Sequence, residues 1–351
     1  MSPGRKPTML CCPRSLRILL LATPVLLLPA VSSAQFVPGS GTLLNRDDME
    51  DATFVYTHNL PKSSREEDEQ VRYPLGFSSN GMWFESPKRG SPDSIKRVET
   101  PAGGIEGSTG CLYLRSRDTG VPGLPGYNFR TKGVHQAQDD FILKARPISV
   151  ASSPSTTIRL YLPSWDQWEQ RNGVSFGYRA GMQGPQEKVK PSMGKRLFGR
   201  GRTVTVTEME PYYPGFFIHF VPEKDPSNKK GHAYATLLLR ADELGHEMTG
   251  PTIDTPGWWT LGMSVTPDGR VHYYAHAGVH DLTAADYIRS SLPYNIRGTT
   301  FNTIFFNVCS ADNGNSWSTP WIIDDPSVFY GTSPQSPQLQ QARQPAPAAN
   351  Q

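Results

Sequence analysis

The chain has 351 residues, of which 10% are aromatic and 19% charged, with 32 glycines, 32 prolines and a net charge of +3. Four of its cations, Arg5, Lys6, Arg14 and Arg17, stand ahead of an apolar run and no acid stands among them, so taking those four charges from +3 leaves −1 for the rest. A chain so nearly neutral offers no overall attraction for nucleic acid or an anionic membrane, and its length is ample for one large core.

The apolar run extends from Ile18 to Leu28, and Ser32, Ser33 and Ala34 follow it. Basic residues, a short apolar core and small side chains before a cut are the pattern of a cleavable export signal. Residues 1–34 are therefore expected to be a signal peptide removed after Ala34, leaving Gln35 as the new N-terminus. A membrane anchor needs roughly 20 apolar residues; this core is shorter and carries Pro24, with Pro29 just beyond it, so no transmembrane anchor is expected after cleavage. Cys11 and Cys12 precede the core, whereas a lipid-bearing cysteine follows it. The expected location is secreted or periplasmic.

Residues 35–44 form a short lead, 45–330 a body of about 285 residues, long for one domain but within reach of a single sandwich, and 331–351 a tail. The tail is rich in Pro, Gln, Ala and Ser and has too few large apolar groups to offset the entropy of ordering, so it is expected to be disordered. Through the body, short alternating or β-branched runs recur between turn-forming residues: Cys111–Arg115, Asp140–Leu143, Thr156–Leu162, Val174–Tyr178, Thr203–Thr207, Gly215–Val221, Ala233–Arg240, Trp258–Val265, Arg270–His276 and Asn302–Val308. Such lengths and punctuation predict an all-β sandwich rather than βαβ units. Thr266-Pro-Asp-Gly-Arg270 joins two alternating runs and predicts a hairpin. Thr283 is placed to cap a short helical turn.

Two cysteines remain in the body, Cys111 and Cys309. In an oxidising compartment the pair predicts a disulfide, with two buried thiols as the alternative. Trp165 and Trp168 sit in a polar stretch after a strand and offer a flat platform for a sugar ring; Trp317 and Trp321 offer a second. Each of these indoles equally suits a core, and of Trp258 and Trp259 at least one must be core because neighbours on a strand face opposite ways. The segment Lys188 to Arg202 carries Lys188, Lys190, Lys195, Arg196, Arg200 and Arg202 without an acid, either a basic loop for an acidic polysaccharide or an ordinary solvated one.

The two ends of the body carry a resemblance. Asn45-Arg-Asp-Asp-Met-Glu-Asp51, Gly81-Met-Trp83 and the Gly103 to Leu114 segment open it, and Trp321-Ile-Ile-Asp-Asp-Pro-Ser-Val-Phe329 closes it. This resembles the secreted jelly-roll modules that bind carbohydrate, either concanavalin A-like lectin and glucanase sandwiches or galactose-binding-like modules. The length favours the concanavalin A-like type. Met49 stands where the pattern has Phe, and Pro326 follows the aspartate pair. The resemblance implies neighbouring first and last strands, a polysaccharide or glycan as partner, and a structural calcium held by Asp48, Glu50 and Asp324, since calcium takes six to eight oxygens. Asp47, Asp48, Asp51, Asp324 and Asp325 also read as ordinary turn residues.

Catalytic patterns are incomplete. No Glu-x-Asp-x-x-Glu run of a retaining glucanase and no His-Glu-x-x-His or paired Cys-x-x-Cys spacing occurs. Phe217-Ile-His219 and Tyr274-Ala-His-Ala-Gly278 resemble two blocks of alginate-lyase-type jelly rolls, in which His219 and Tyr274 move a proton and Arg240 neutralises a uronate. Phe217, His276 and His280 depart from those blocks. The favoured expectation is a non-catalytic glycan-binding or envelope-associated protein; a polysaccharide lyase and a purely structural secreted protein are the alternatives.

Overall fold

The computed structural model describes residues 37–117, 137–191, 203–311 and 316–331. These belong to the second of the chain's two units, Gln35–Gln351; the first, Met1–Ala34, lies outside the described residues. The expected signal peptide, the new N-terminus at Gln35, the tail beyond Gly331 and the cations Lys195, Arg196, Arg200 and Arg202 all fall outside them.

Five short strands come first: β1 Thr42–Arg46, β2 Tyr56–Thr57, β3 Phe77–Ser78, β4 Trp83–Glu85 and β5 Ser94–Glu99. There follow β6 Gly110–Arg115, β7 Ala137–Leu143, β8 Ile148–Ser149, β9 Pro154–Leu162, β10 Gly173–Pro191, β11 Thr203–Tyr212, β12 Gly215–Val221 and β13 Tyr234–Arg240. The last six are β14 Glu247–Ile253, β15 Gly257–Val265, β16 Val271–Ala277, β17 Tyr287–Ser291, β18 Thr300–Ser310 and β19 Trp321–Tyr330. All ten predicted runs are strands.

The strands form two antiparallel sheets. The first has eight strands in the order β17-β16-β15-β9-β19-β6-β5, with β1 also on β19; the second has eleven, β14-β13-β12-β10-β18-β7-β4-β3-β2, with β11 on β10 and β8 on β18. This is the jelly-roll sandwich that the resemblance implies, and sheets of this size are those of the larger, concanavalin A-like type. The first and last strands are neighbours, Thr42 opposite Tyr330. The Asp-Gly turn closes β15 onto β16 with Val265 opposite Val271 and Gly269 at φ +85°. Thr283 caps a 3-10 turn over Ala284–Asp286, accepting from the Ala285 N–H.

The core lies between the sheets, and aromatic rings span it. Trp83 stacks on Phe141 at 4.8 Å and on Phe306 at 5.5 Å; Phe306 meets Phe176 at 5.7 Å, and Phe176 meets Trp321 of the first sheet at 4.8 Å. At the far end Phe216 meets Tyr273 edge-on at 5.5 Å. Alternation then assigns every neighbouring residue to an outer face.

Charged groups are also inside. Lys62 is wholly buried, 2.9 Å from Asp93 and 3.0 Å from Asp139. Its apolar stem lies against Gly90, where a Cβ would come within 3.0 Å of it, and Gly90 has a φ of +72° besides. The ion pairs tie the segment before the Arg65–Asp68 helical turn to β7. Burial raises the Asp139 carboxyl against the pull of Lys62.

The expected Cys111–Cys309 disulfide is not formed: both thiols are free and buried. On β6 the core takes Leu112 and Leu114, which turns Cys111 to the outer side of the first sheet; on β18 it takes Phe306 and Val308, which turns Cys309 to the outer side of the second. The whole sandwich separates them, far beyond the roughly 7 Å between Cα atoms that a bridge spans. Burial pushes each thiol up to about 12, so both stay protonated and unreactive at neutral pH. Alkylation of native protein is therefore expected to spare Cys111 and Cys309, and denaturation without any reductant is expected to expose both, read as two added alkyl groups by peptide mass spectrometry.

Candidate functional site

The outer face of the second sheet concentrates the chemistry. Phe216, Ile218 and Phe220 of β12 point into the core, so Phe217 and His219 point out. The same reasoning turns out Leu238 and Arg240 on β13, Gly177 and Arg179 on β10, Phe305 and Asn307 on β18, and Asp140 and Ile142 on β7. Strand register assembles two rows. One runs Arg240, Gly215, Arg179, Phe305, Ile142, Phe84, Phe77; the other runs Leu238, Phe217, Gly177, Asn307, Asp140.

Two glycines make the rows possible. A Cβ at Gly215 would lie 2.4 Å from the Tyr178 carbonyl and 2.8 Å from Cγ of Arg179, so the gap there is what Arg179 occupies. At Gly177 a Cβ would lie 2.5 Å from Oδ1 of Asn307 and 2.8 Å from the Phe217 ring, which share that space. Into this setting Arg179 lays its guanidinium, 5.3 Å from the Phe217 and Tyr213 ring centres and 5.5 Å from that of Phe305. It donates to the Tyr213 carbonyl and to the Tyr294 hydroxyl. Arg179 is only 6% exposed, and burial draws it down to about 10, the charge of Arg240 pulling the same way. Arg240 also lies against Phe217, 5.2 Å from its ring centre, donates to the same Tyr294 hydroxyl and pairs with Glu247. His219, lowered by burial and by Arg171, meets Asn172 at 2.9 Å. Toward the sheet's other edge Phe77 is half exposed.

The proton-moving group of the lyase reading is divided. His219 and Arg240 share this face, but Tyr273 takes the core position on β16, which turns Tyr274 to the outer side of the opposite sheet, buried against Tyr287. Tyr274 therefore cannot act with the other two. Sequence reasoning missed Arg179 and Tyr294; alternation along Val174–Tyr178, carried one residue further, places Arg179 on the face of Gly177.

The four indoles named as platforms differ in placement. Trp168 is 3% exposed, packed on Phe220 at 4.6 Å and Trp321 at 5.0 Å, with its N–H donated to the Pro163 carbonyl. Trp321 is fully buried. These two are core, corrected from the platform reading: Trp321 faces inward with Ile323 on β19, and Trp168 in the β9–β10 connection packs onto it. Trp165 is half-buried on Trp168 and Phe220. Trp317 is 37% exposed, with Arg115 and Arg117 over its ring at 5.4 and 5.6 Å. Of the basic run, Lys188 and Lys190 are described, and they pair across the β10–β11 hairpin with Glu210 and Glu208.

Asp48, Glu50 and Asp324 line one pocket of about 200 Å³ with Arg46 and Asp325, as the first and last strands are neighbours. The Glu50 carboxylate accepts from the Thr109 hydroxyl and from the N–H groups of Thr109 and Gly110, Arg46 enters the pocket and pairs with Asp325 at 2.6 Å, and among the described residues no three His, Cys, Asp or Glu side chains group as metal ligands. Asp47 serves the fold instead, accepting from the Trp83 indole N–H at 2.6 Å. Asp324 is buried, with Oδ2 lacking a hydrogen-bond partner.

Two measurements follow from these placements. Trp168→Ala is expected to cost about 3–5 kcal/mol, as for other buried large rings, while Trp317→Ala costs much less; chemical denaturation reads both. Burial, with Asp325 adding to it, raises Asp324 to about 6 from an ordinary 3.8. A raised folded-state value makes its contribution complete below about pH 4 and lost as pH rises through about 6. Asp324→Asn is expected to remove that fall, seen as a flatter unfolding midpoint across this window.

No protein-family model and no curated protein matches the sequence. Among solved structures the chain is similar to a protein of unknown function from Shewanella oneidensis MR-1, at 11% identity and a TM-score of 0.36 over 90% of this chain and 99% of that one. It is similar to the exoplasmic/lumenal domain of VIP36 bound to calcium and Man3GlcNAc, at 10% identity and a TM-score of 0.32, over 74% of this chain and 89% of that one. A botulinum neurotoxin serotype G binding domain matches at 10% identity and a TM-score of 0.29, over 75% of this chain; the match spans 46% of the toxin chain. These likenesses are loose.

Proposed function

We propose that this protein is a non-catalytic carbohydrate-binding β-sandwich that acts outside the cytoplasm, and that the outer face of its second sheet receives the glycan. The carrying observation is the row from Arg240 and Arg179 through Phe305, Ile142 and Phe84 to Phe77. Sugars are bound by such mixtures, in which flat apolar groups meet the C–H face of a ring while polar groups take its hydroxyls. Export rests on the basic residues, apolar core and small residues before Gln35. Among the described residues no helix is long and apolar enough to cross a membrane. The calcium expectation is not carried into this reading, for among the described residues no three His, Cys, Asp or Glu side chains group as metal ligands.

The test is retention of the exported protein on a panel of immobilised polysaccharides, together with N-terminal sequencing. The mature chain is expected to begin at Gln35 and to be retained by at least one polymer without releasing unsaturated uronates. Phe77→Ala is expected to weaken retention severalfold with little change in unfolding midpoint, because the ring is half exposed. Loss of retention in Trp317→Ala instead of Phe77→Ala would move the site to the loop end of the sandwich, and release of unsaturated ends would make the protein an enzyme.

A further inference from the structure

Arg179 presents a charge problem that the fold alone does not solve. A cation taken out of water is ordinarily matched by an anion, because desolvation costs several kcal/mol. Arg179 is almost wholly buried, yet its hydrogen bonds go to the neutral Tyr213 carbonyl, at 3.1 and 2.7 Å, and to the neutral Tyr294 hydroxyl, at 3.3 Å. The nearby carboxylate, Asp140, is engaged with Asn307, Gln138 and Arg89. Beside Arg179, Arg240 also reaches the Tyr294 hydroxyl at 3.3 Å, and its Nε is buried without a hydrogen-bond partner. In the second row Asn307 donates its amide to Asp140 at 2.6 Å and leaves its buried Oδ1 unpartnered.

The three groups lie on one face, within two adjacent rows. Two guanidiniums converge on one phenol oxygen, and the acceptor of Asn307 stands across Gly177 from Phe217. A guanidinium's planar fork matches a carboxylate more closely than any other common anion except phosphate, and an unused amide oxygen suits a hydroxyl donor. An acidic sugar carries both. Arg240, with 26% of its side chain exposed, is the open side of this arrangement.

We propose that Arg179 and Arg240, converging on Tyr294, form a subsite for the carboxylate of a uronate unit in an acidic polysaccharide. The assignment rests on the glycan-binding reading and narrows it to acidic chains. The carboxylate supplies the missing countercharge to Arg179, a hydroxyl of the same chain meets Asn307 Oδ1, and neighbouring sugars extend over Phe84 and Phe77.

The experiment measures affinity of the full chain, by affinity electrophoresis at low ionic strength, for polygalacturonate, for the same polymer with its carboxylates reduced to alcohols, and for a sulfated galactan. Polygalacturonate is expected to bind about tenfold or more tightly than its reduced form, the scale of one charge-assisted hydrogen bond. Arg240→Gln is expected to erase that preference, so that the acidic and the reduced polymer bind alike; its exposure makes it the folded counterpart to Arg179→Met, which is expected to lose stability, and circular dichroism checks both. Lys190→Gln on the projecting hairpin is expected to stay within about twofold. Equal binding of acidic and reduced polymers overturns the subsite and leaves glycan binding standing. Equal losses from Lys190→Gln and Arg240→Gln reduce the effect to general charge attraction and overturn it. Tighter binding of the sulfated galactan overturns the carboxylate assignment, and binding to none of the polymers overturns the glycan reading itself.

Discussion

The stack of rings between the two sheets is the constraint on which the other features depend. Trp83, Phe141, Phe306 and Phe176 come from four strands of the second sheet and Trp321 from the first, and their contacts at 4.8 to 5.7 Å fix the inward parity of those strands. A slip of one residue in any of them would turn aromatic groups to solvent and polar ones into the core. Parity then decides matters that have nothing to do with the core itself. It sends Cys111 and Cys309 to opposite outer surfaces, separates Tyr274 from His219 and Arg240, and lines up Arg179 with Phe305.

Two buried cations, Lys62 and Arg179, are treated differently. Lys62 has Asp93 and Asp139 within 3.0 Å, a pair whose disruption typically costs about 3–5 kcal/mol because the remaining charge stays buried. Such a group belongs to the architecture, joining an early segment to β7. Arg179 is bracketed by rings and neutral oxygens, with a second guanidinium beside it. The difference between the two cations is what marks the outer face of the second sheet as a place for a ligand.

The acidic ends of the body show how proximity falls short of a site. The neighbouring first and last strands bring Asp48, Glu50 and Asp324 to one pocket. There, Thr109 and Gly110 take the carboxylate of Glu50, Arg46 takes Asp325, and burial pushes Asp324 toward its neutral form. A site for a divalent cation needs several oxygens turned to one point; here the protein's own donors take the carboxylates of Glu50 and Asp325, and Asp324 keeps a buried Oδ2 without a hydrogen-bond partner. The pocket fastens the opening segment to the closing strand.

The periodicity of the chain by itself determined an all-β sandwich: the ten alternating runs, the Asp-Gly hairpin and the Thr283 cap are local patterns, and local patterns survive into the fold because backbone hydrogen bonding and side-chain alternation act over a few residues. The pairing of the first and last strands was legible from the resemblance of the two ends. The polar second half of β10 and all of β14 were not legible, because Gln186-Glu-Lys-Val-Lys190 and Glu247-Met-Thr-Gly-Pro251 lack an apolar face and are strands through their pairing with β11 and β13. The same limit governs the site. Which indole is core, whether two cysteines meet, and whether a guanidinium finds a carboxylate depend on register between strands up to 288 residues apart, as for Thr42 and Tyr330, and register is set by packing across the whole sandwich rather than by any short stretch of chain.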